Sequence, residues 1–107
     1  ILEDVGNQVQ LSEVYRVKCI IMFQRGNYQQ AKELLFRRRQ LIASYRMPFA
    51  DAVDLFTLGH IEMQQNNYLQ AQQYLVQSLR LFWDAGYISF VLRPLYFIAI
   101  LLYRFND

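Results

Sequence analysis

A short motif occurs twice in this chain, and its spacing constrains the fold more than any other feature. Residues 26–31 (GNYQQA) are followed 40 positions later by residues 66–71 (NNYLQA). The same register aligns Leu35 with Leu75. Self-similarity at a fixed period of roughly 20 to 50 residues indicates stacked structural repeats. The chain is therefore predicted to contain copies of one supersecondary unit.

Each copy of the motif has the residues that a helical hairpin requires. Gly-Asn in the first copy and Asn-Asn in the second favour the left-handed backbone that ends a helix. Tyr, Ala and Leu then recur at i, i+3 and i+7, which places them on one stripe of the next helix. A small residue, Cys19 or Gly59, precedes the alanine in each copy and marks a close approach between helices. The repeat unit is therefore predicted to be a pair of antiparallel helices.

These residues resemble the tetratricopeptide repeat family, which has Leu-Gly and an aromatic residue in its first helix and Ala-x-x-x-Phe in its second. The matching residues of the second copy are Leu55, Leu58, Gly59, Ala71 and Leu75, and those of the first are Tyr15, Cys19, Ala31 and Leu35. The chain departs from the family at Lys18, Met22, Glu62, Arg38 and Ser78, the last two of which stand where the family usually has alanine. Its period of 40 also exceeds the family's usual period of about 34. Such longer periods are similar to those of arrays in large bacterial signalling ATPases and transcriptional regulators.

The resemblance implies an all-α fold, a right-handed α-solenoid of antiparallel helical hairpins. The repeat register predicts five helices, at about residues 8–24, 28–45, 49–65, 68–85 and 89–105. They form one segment, 1–107, with repeat units at about 8–47 and 48–87 and a half repeat at 88–107. Pro48 is expected to open the third helix, and Pro94 predicts a late start of the fifth. Because residues 81–86 align with residues 1–6, we interpret both ends as cuts in a longer array.

Composition and charge exclude several classes of protein. The chain is 54% hydrophobic and 16% aromatic with only two prolines, which is incompatible with disorder. A net charge of +2 is too balanced to predict a polyanion as partner. A single cysteine gives no sign of an oxidising compartment. The longest apolar run, residues 95–103, is about half of the ~20 residues that a membrane-spanning helix needs. A cytoplasmic protein without a membrane segment is expected.

The sequence offers little that would support catalysis. His60 is the only histidine, and no cluster of His, Cys, Asp or Glu at metal-ligand spacing accompanies it. No Gly-rich phosphate loop or nucleophile elbow is present. We therefore expect neither an enzyme nor a bound metal or cofactor. The run Arg37-Arg38-Arg39 is expected to be solvated, because consecutive helical residues point about 100° apart. A contact with an acidic partner or with nucleic acid is the alternative for that run.

The resemblance also implies where a partner binds, because the first helices of the family line a concave groove. Transferring these positions one by one gives Arg16, Ile20 and Phe23 in the first unit, Phe56, His60 and Met63 in the second, and Arg93, Tyr96 and Ile100 in the third. Flanking positions are Glu13, Gln24, Val53, Gln64, Tyr103 and Arg104. The slots that hold asparagine in carboxylate-clamping members are Ile20, Phe23, His60 and Met63 here. A carboxylate clamp is therefore not expected.

These observations lead to three hypotheses about function. The first is a scaffold within a larger regulatory or signalling protein, which binds a peptide or a neighbouring domain of the same protein in an apolar and aromatic groove. The second is a structural spacer or a self-association module, and the third is a nucleic-acid contact through residues 37–39. The last helix is apolar all round, so something is expected to cover its outer face. In a longer array this would be the next hairpin, and for the isolated segment we predict a symmetric partner, and so a possible homodimer, or a neighbouring molecule packed on Phe97, Leu101 and Leu102. Ala99 is expected to face back into the array as the counterpart of Gly59.

Overall fold

Five α-helices make up most of the chain in the computed structural model, which describes the backbone of residues 2–105 and the side chains of residues 6–104. The helices are α1 (Leu2–Gln24), α2 (Tyr28–Leu41), α3 (Pro48–Gln64), α4 (Tyr68–Asp84) and α5 (Leu92–Phe105). A short 3-10 helix, Ile88–Phe90, precedes α5. The predicted all-α class with five helices is confirmed. The chain divides into two compact units, residues 1–47 and 48–107.

The first unit is a hairpin of α1 and α2. Two contacts show that its helices are antiparallel. Beside the loop, the ring of Phe23 lies 5.5 Å from that of Tyr28, and farther from the loop the side chain of Arg38 donates a hydrogen bond to the carbonyl oxygen of Ser12. Of the stripe that the repeat predicted, Ala31 and Leu35 are buried and Tyr28 is half-buried. The buried apolar side chains of this unit also include Cys19 and Ile42.

The second unit begins with the hairpin of α3 and α4. Pro48 is the first residue of α3, as predicted, because its missing N–H and fixed φ suit the first turn. The two helices approach closely at Gly59: a β-carbon built on it would lie 2.7 Å from Cγ of Leu75 and 3.3 Å from the carbonyl oxygen of Ala71. The predicted close approach at this residue is confirmed.

The turns inside the two hairpins have the same geometry. Gly26 has φ of 80° and Asn66 has φ of 64°, both in the left-handed region. In each turn the next residue donates a main-chain hydrogen bond to the carbonyl oxygen five positions earlier, from Asn27 to Met22 at 2.8 Å and from Asn67 to Glu62 at 2.9 Å. This is the Schellman motif, which satisfies carbonyl groups at a helix end. The Gly-Asn and Asn-Asn pairs of the sequence therefore end α1 and α3.

The second helices of the two hairpins end differently. α4 ends with the same motif at Gly86, which has φ of 84°. Forty positions earlier the chain has Arg46, and a side chain makes the left-handed conformation costly. α2 ends at Leu41 without that motif, so the prediction that it continues to residue 45 is wrong.

The start of α1 also differs from the sequence prediction. The helix begins at Leu2 and passes through Gly6, although the repeat register aligns Gly6 with Gly86 and predicts a helix start near residue 8. A glycine inside a helix costs about 1 kcal/mol relative to alanine but does not end it without the closing hydrogen bonds. The predicted turn at Gly6 is therefore absent.

Aromatic residues close the far end of the second hairpin. The ring of Phe49 in α3 lies 4.8 Å from that of Tyr87 and 4.9 Å from that of Phe90, and Phe82 stacks on Phe90 at 5.6 Å. The 3-10 helix occupies the stretch where the repeat register placed the start of the fifth helix. α5 begins at Leu92 with Pro94 in its first turn, which confirms the predicted late start.

α5 completes the core of the second unit. Leu101 is 3% exposed and joins Ala71 and Leu75 in one apolar cluster, against which Phe97 and Ile98 also pack. None of the described helices is long and apolar enough to cross a membrane.

Candidate functional site

An open cavity of about 440 Å³ lies between α3 and α5 in the second unit. α3 contributes a pair of side chains at i and i+4, and α5 contributes two such pairs, so that one face of each helix lines the cavity. The lining residues are Phe56, His60, Leu92, Arg93, Tyr96 and Phe97. The site is therefore formed by residues that are distant in sequence and lie on two helices, which meet at the ring contacts of Phe97 with Phe56 and His60.

Ring contacts fix the floor of this cavity. The ring of Phe97 lies 5.3 Å from that of Phe56, 4.9 Å from that of His60 and 5.7 Å from that of Tyr96. Tilted aromatic pairs at such distances are favourable beyond their buried area. Phe56 and Phe97 also pack against the core cluster, so they support the cavity from below. In contrast, Leu92 and Tyr96 are 68% and 65% exposed and form its rim.

The electrostatic character of the cavity comes from two residues. Burial lowers the pKa of His60 below its ordinary value of 6.5, so its imidazole is neutral at pH 7 and above. Among the described residues that line the cavity, Arg93 is the only charged one and none is a carboxylate. The cavity thus combines aromatic walls, one neutral imidazole and one exposed cation.

Four of the predicted groove residues meet in this cavity: Phe56, His60, Arg93 and Tyr96. Met63 and Ile100 do not line it. Met63 instead packs against the core cluster of α4 and α5, and Ile100 is half-buried.

Two lining residues, Leu92 and Phe97, were not among the predicted groove positions. Each lies four positions from a predicted groove residue, Leu92 from Tyr96 and Phe97 from Arg93. That spacing alone does not single them out, because every residue of a helix has neighbours four positions away.

In the first unit the predicted groove residues lie on α1. Arg16 is engaged within its own helix, where its Nε donates a 3.0 Å hydrogen bond to Oε2 of Glu13. Ile20 is 38% exposed, and Phe23 packs on Tyr28. Ile20 and Phe23 thus form an apolar stripe on α1, next to the ion pair of Arg16 and Glu13.

Glu13 also accepts from Arg38, whose Nη1 lies 3.0 Å from Oε1. Partial burial acts to raise the pKa of Glu13, but the hydrogen bonds and charges of Arg38 and Arg16 outweigh it and hold that pKa below the usual range. Arg38 itself is 2% exposed. The arginine run is therefore not a continuous basic surface, because its middle residue points into the hairpin.

The expectations for the outer face of α5 require correction. Leu101 is buried and Phe97 is half-buried, whereas Ala99 is exposed, so the orientation predicted for these three residues is wrong. The reason is visible at Gly59, which faces its own hairpin partner α4 rather than a preceding helix. Ala99, as its counterpart, therefore does not face the core of the unit. Leu102, at 46% exposed, does lie on the surface as predicted.

No group of three or more His, Cys, Asp or Glu side chains that could hold a metal ion is found in the part of the chain that the structure describes. Comparison of the chain with protein-family models gives no match. Comparisons with curated proteins and with solved structures also give no match.

Proposed function

We propose that this chain is a protein-binding scaffold of the tetratricopeptide type, and that its second unit holds a segment of a partner protein in the cavity between α3 and α5. The observation that carries the proposal is the meeting of Phe56, His60, Arg93 and Tyr96 around one cavity. These four residues are among the groove positions that the family resemblance implied. The proposal includes the right-handed α-solenoid that the resemblance implies.

The chemistry of the cavity favours a protein segment with a large apolar side chain. Burying one such side chain contributes roughly 1.5 to 3 kcal/mol, and the aromatic floor is already held by the core, so little ordering is needed on binding. The cavity is open and shallow at its rim, where Leu92 and Tyr96 are exposed. An open site of this kind suits a side chain presented by a larger partner better than a small molecule, which is normally enclosed on most sides.

Arg93 adds a charge preference. No carboxylate is among the described residues that line the cavity with it, so an acidic residue next to the apolar anchor of the partner would gain an ion pair at the rim. Rim pairs of this type contribute modestly to affinity and more to the choice of partner. The expected partner segment therefore carries an apolar anchor beside an Asp or Glu.

A library of random peptides displayed on phage and selected against the 107-residue chain tests this function. Binders should lose at least tenfold in affinity for the double variant Leu92→Ser/Arg93→Ser, because both residues line the cavity and are exposed. Leu69→Ser is the control, since Leu69 is 73% exposed on α4 of the same unit and does not line the cavity. A selection that yields no binder, or binders indifferent to the double variant, would show that the cavity is not a binding site.

The same binders test the charge preference. Asp and Glu should be enriched in the selected peptides, and Arg93→Glu should weaken these peptides, whereas Arg104→Glu makes the same change of charge outside the cavity and should not. If binding depends on Leu92 but is unaffected by Arg93→Glu, the cavity binds apolar anchors without regard to charge.

A further inference from the structure

One face of α5 is apolar and exposed. Ala99 lies at its centre, and the residues three and four positions away on either side surround it: Leu95, Tyr96, Leu102 and Tyr103. All four are large and exposed, at 45%, 65%, 46% and 74% respectively. We call these five residues the Ala99 face. A small residue encircled by large ones forms a depression into which a side chain of another helix can pack.

α3 shows what covers this face when a partner helix is present. In the 40-residue register Leu55, Gly59 and Glu62 correspond to Leu95, Ala99 and Leu102. In α3 they are buried, with Leu55 4% and Glu62 5% exposed.

The helix that covers Gly59 is α4, which presents Ala71 and Leu75 to it. Both residues are fully buried there. The same arrangement of residue types is buried in the first unit, where the corresponding residues Cys19, Ala31 and Leu35 are each at most 1% exposed. In both hairpins the second helix thus carries Ala-x-x-x-Leu and the first helix carries a small residue, Cys19 or Gly59. Ala99 is the small residue at the next equivalent position, and it is exposed to solvent.

We propose that the Ala99 face is the docking surface for an α-helix that presents Ala-x-x-x-Leu, as α2 and α4 do. The alanine of that helix lets the two backbones approach, and its leucine packs on Ala99 between the surrounding large side chains. The surface lies beside the cavity, with Tyr96 at the border of both. The docking does not depend on a ligand in the cavity.

A second copy of this chain does not meet that description. Its own α4 is already used, because Ala71 and Leu75 are buried in the folded unit. Its α5 brings no opposite charge to the face, since residues 92–104 contain Arg93 and Arg104 and no carboxylate. An antiparallel pair of α5 helices places Arg93 of each copy near Arg104 of the other, and a parallel pair places each arginine near its own counterpart. The geometry therefore points to a different helix.

A tethered helix tests the proposal without requiring high affinity in solution. A second copy of residues 68–84 is added directly after Asp107, because residues 105–107 align with residues 65–67, which connect α3 to α4. Tethering gives the added helix a high effective concentration at the Ala99 face. The control is the same extension with Gln in place of the copied Ala71 and Leu75.

Thiol labelling of an Ala99→Cys variant reports whether the face is covered. Cysteine is accepted at the corresponding position, Cys19, which is 1% exposed and so labels slowly. With the added helix, labelling of the new thiol should slow by at least about tenfold and Tm should rise by about 5 °C or more. The Gln control should show neither change.

Two results would overturn the proposal. Equal labelling rates with the added helix and with its Gln control would show that the Ala99 face does not select an Ala-x-x-x-Leu helix. Labelling of the unextended variant that slows as protein concentration rises, together with a dimer mass in light scattering, would show that a second copy covers the face instead.

Discussion

The hydroxyl of Ser78 donates a 2.7 Å hydrogen bond to the carbonyl oxygen of Ala52 across the second hairpin. Forty positions earlier, Nη1 of Arg38 donates a 3.3 Å hydrogen bond to the carbonyl oxygen of Ser12. Both donor side chains are buried. The two units therefore connect their helices by the same side-chain to main-chain bond, although the donor is a hydroxyl in one and a guanidinium in the other. This is the position at which the tetratricopeptide family usually has alanine.

Replacing Ser78 by alanine should lower the free energy of unfolding by about 1 kcal/mol, because the variant loses a buried hydrogen bond but leaves little empty space. Chemical denaturation of the two proteins measures this difference. Ser89→Ala is the control, since Ser89 is exposed in the 3-10 helix of the same unit. Equal stability of Ser78→Ala and the parent chain would mean that the bond contributes nothing.

Replacing Glu13 by glutamine should destabilise the first unit by about 1 kcal/mol, because the guanidinium of Arg38 would keep its buried position and lose its charged partner. The value is modest because the carboxylate side of the pair is half-exposed and water can partly replace it. Glu33→Gln on the exposed surface of α2 removes the same charge and should have little effect.

The pH dependence distinguishes this pair from simple packing. The pKa of Glu13 is lowered in the folded protein, so the stabilisation is present above the unfolded pKa and is lost as pH falls through the folded value. The parent chain should therefore no longer have a higher free energy of unfolding than Glu13→Gln below about pH 4. A constant difference between the two proteins from pH 7 to pH 3 would contradict the pairing.

Two glycines give opposite expectations for the same substitution. Gly59→Ala should destabilise by roughly 1 to 2 kcal/mol, because its β-carbon would lie 2.7 Å from Cγ of the fully buried Leu75 and overpacking outweighs the gain in helix propensity. Gly6→Ala should stabilise by about 0.5 to 1 kcal/mol, because a β-carbon there meets no described atom within 4 Å. Thermal denaturation of the two variants should show shifts of Tm in opposite directions, and stabilisation by both would show that the hairpin is not close-packed at Gly59.

The repeat made the hairpins predictable because their signals are local. A turn pair, a small residue and an apolar stripe recur at one spacing, and each has a direct physical role in the structure. The burial of Arg38 was harder to predict from the sequence, since arginine is normally exposed. The available signal was that it stands at a position where the family has a small residue facing another helix.

The orientation of α5 was not predictable from its own sequence. Residues 95–103 are apolar all round, so they carry no polar side that indicates which face is buried. The packing of Leu101 on Ala71 and Leu75 decides which face of α5 is buried. That contact depends on where α5 begins after the 3-10 helix. The same packing decides which residues line the cavity, so Phe97 belongs to its floor and not to an outer surface.

His60 should give the protein a characteristic pH dependence of stability. Burial lowers its pKa below 6.5 in the folded state, so the unfolded chain binds the proton more readily. Stability should therefore be fully present above about pH 7 and should decrease as pH falls through 6.5 towards the folded pKa. His60 is the only histidine, so no other side chain with an unshifted pKa titrates in this range.

The measurement is the free energy of unfolding of the parent chain and of His60→Gln at pH 7.5, 6.5 and 5.5. The parent chain should lose stability over this range relative to the variant, which has no imidazole to protonate. Tyr103→Ser, which alters an exposed residue outside the cavity, should follow the parent chain at each pH. If the parent chain and His60→Gln lose stability in parallel, the imidazole is as well solvated in the folded chain as in the unfolded one, and the cavity around it is more open than its ring contacts with Phe97 indicate.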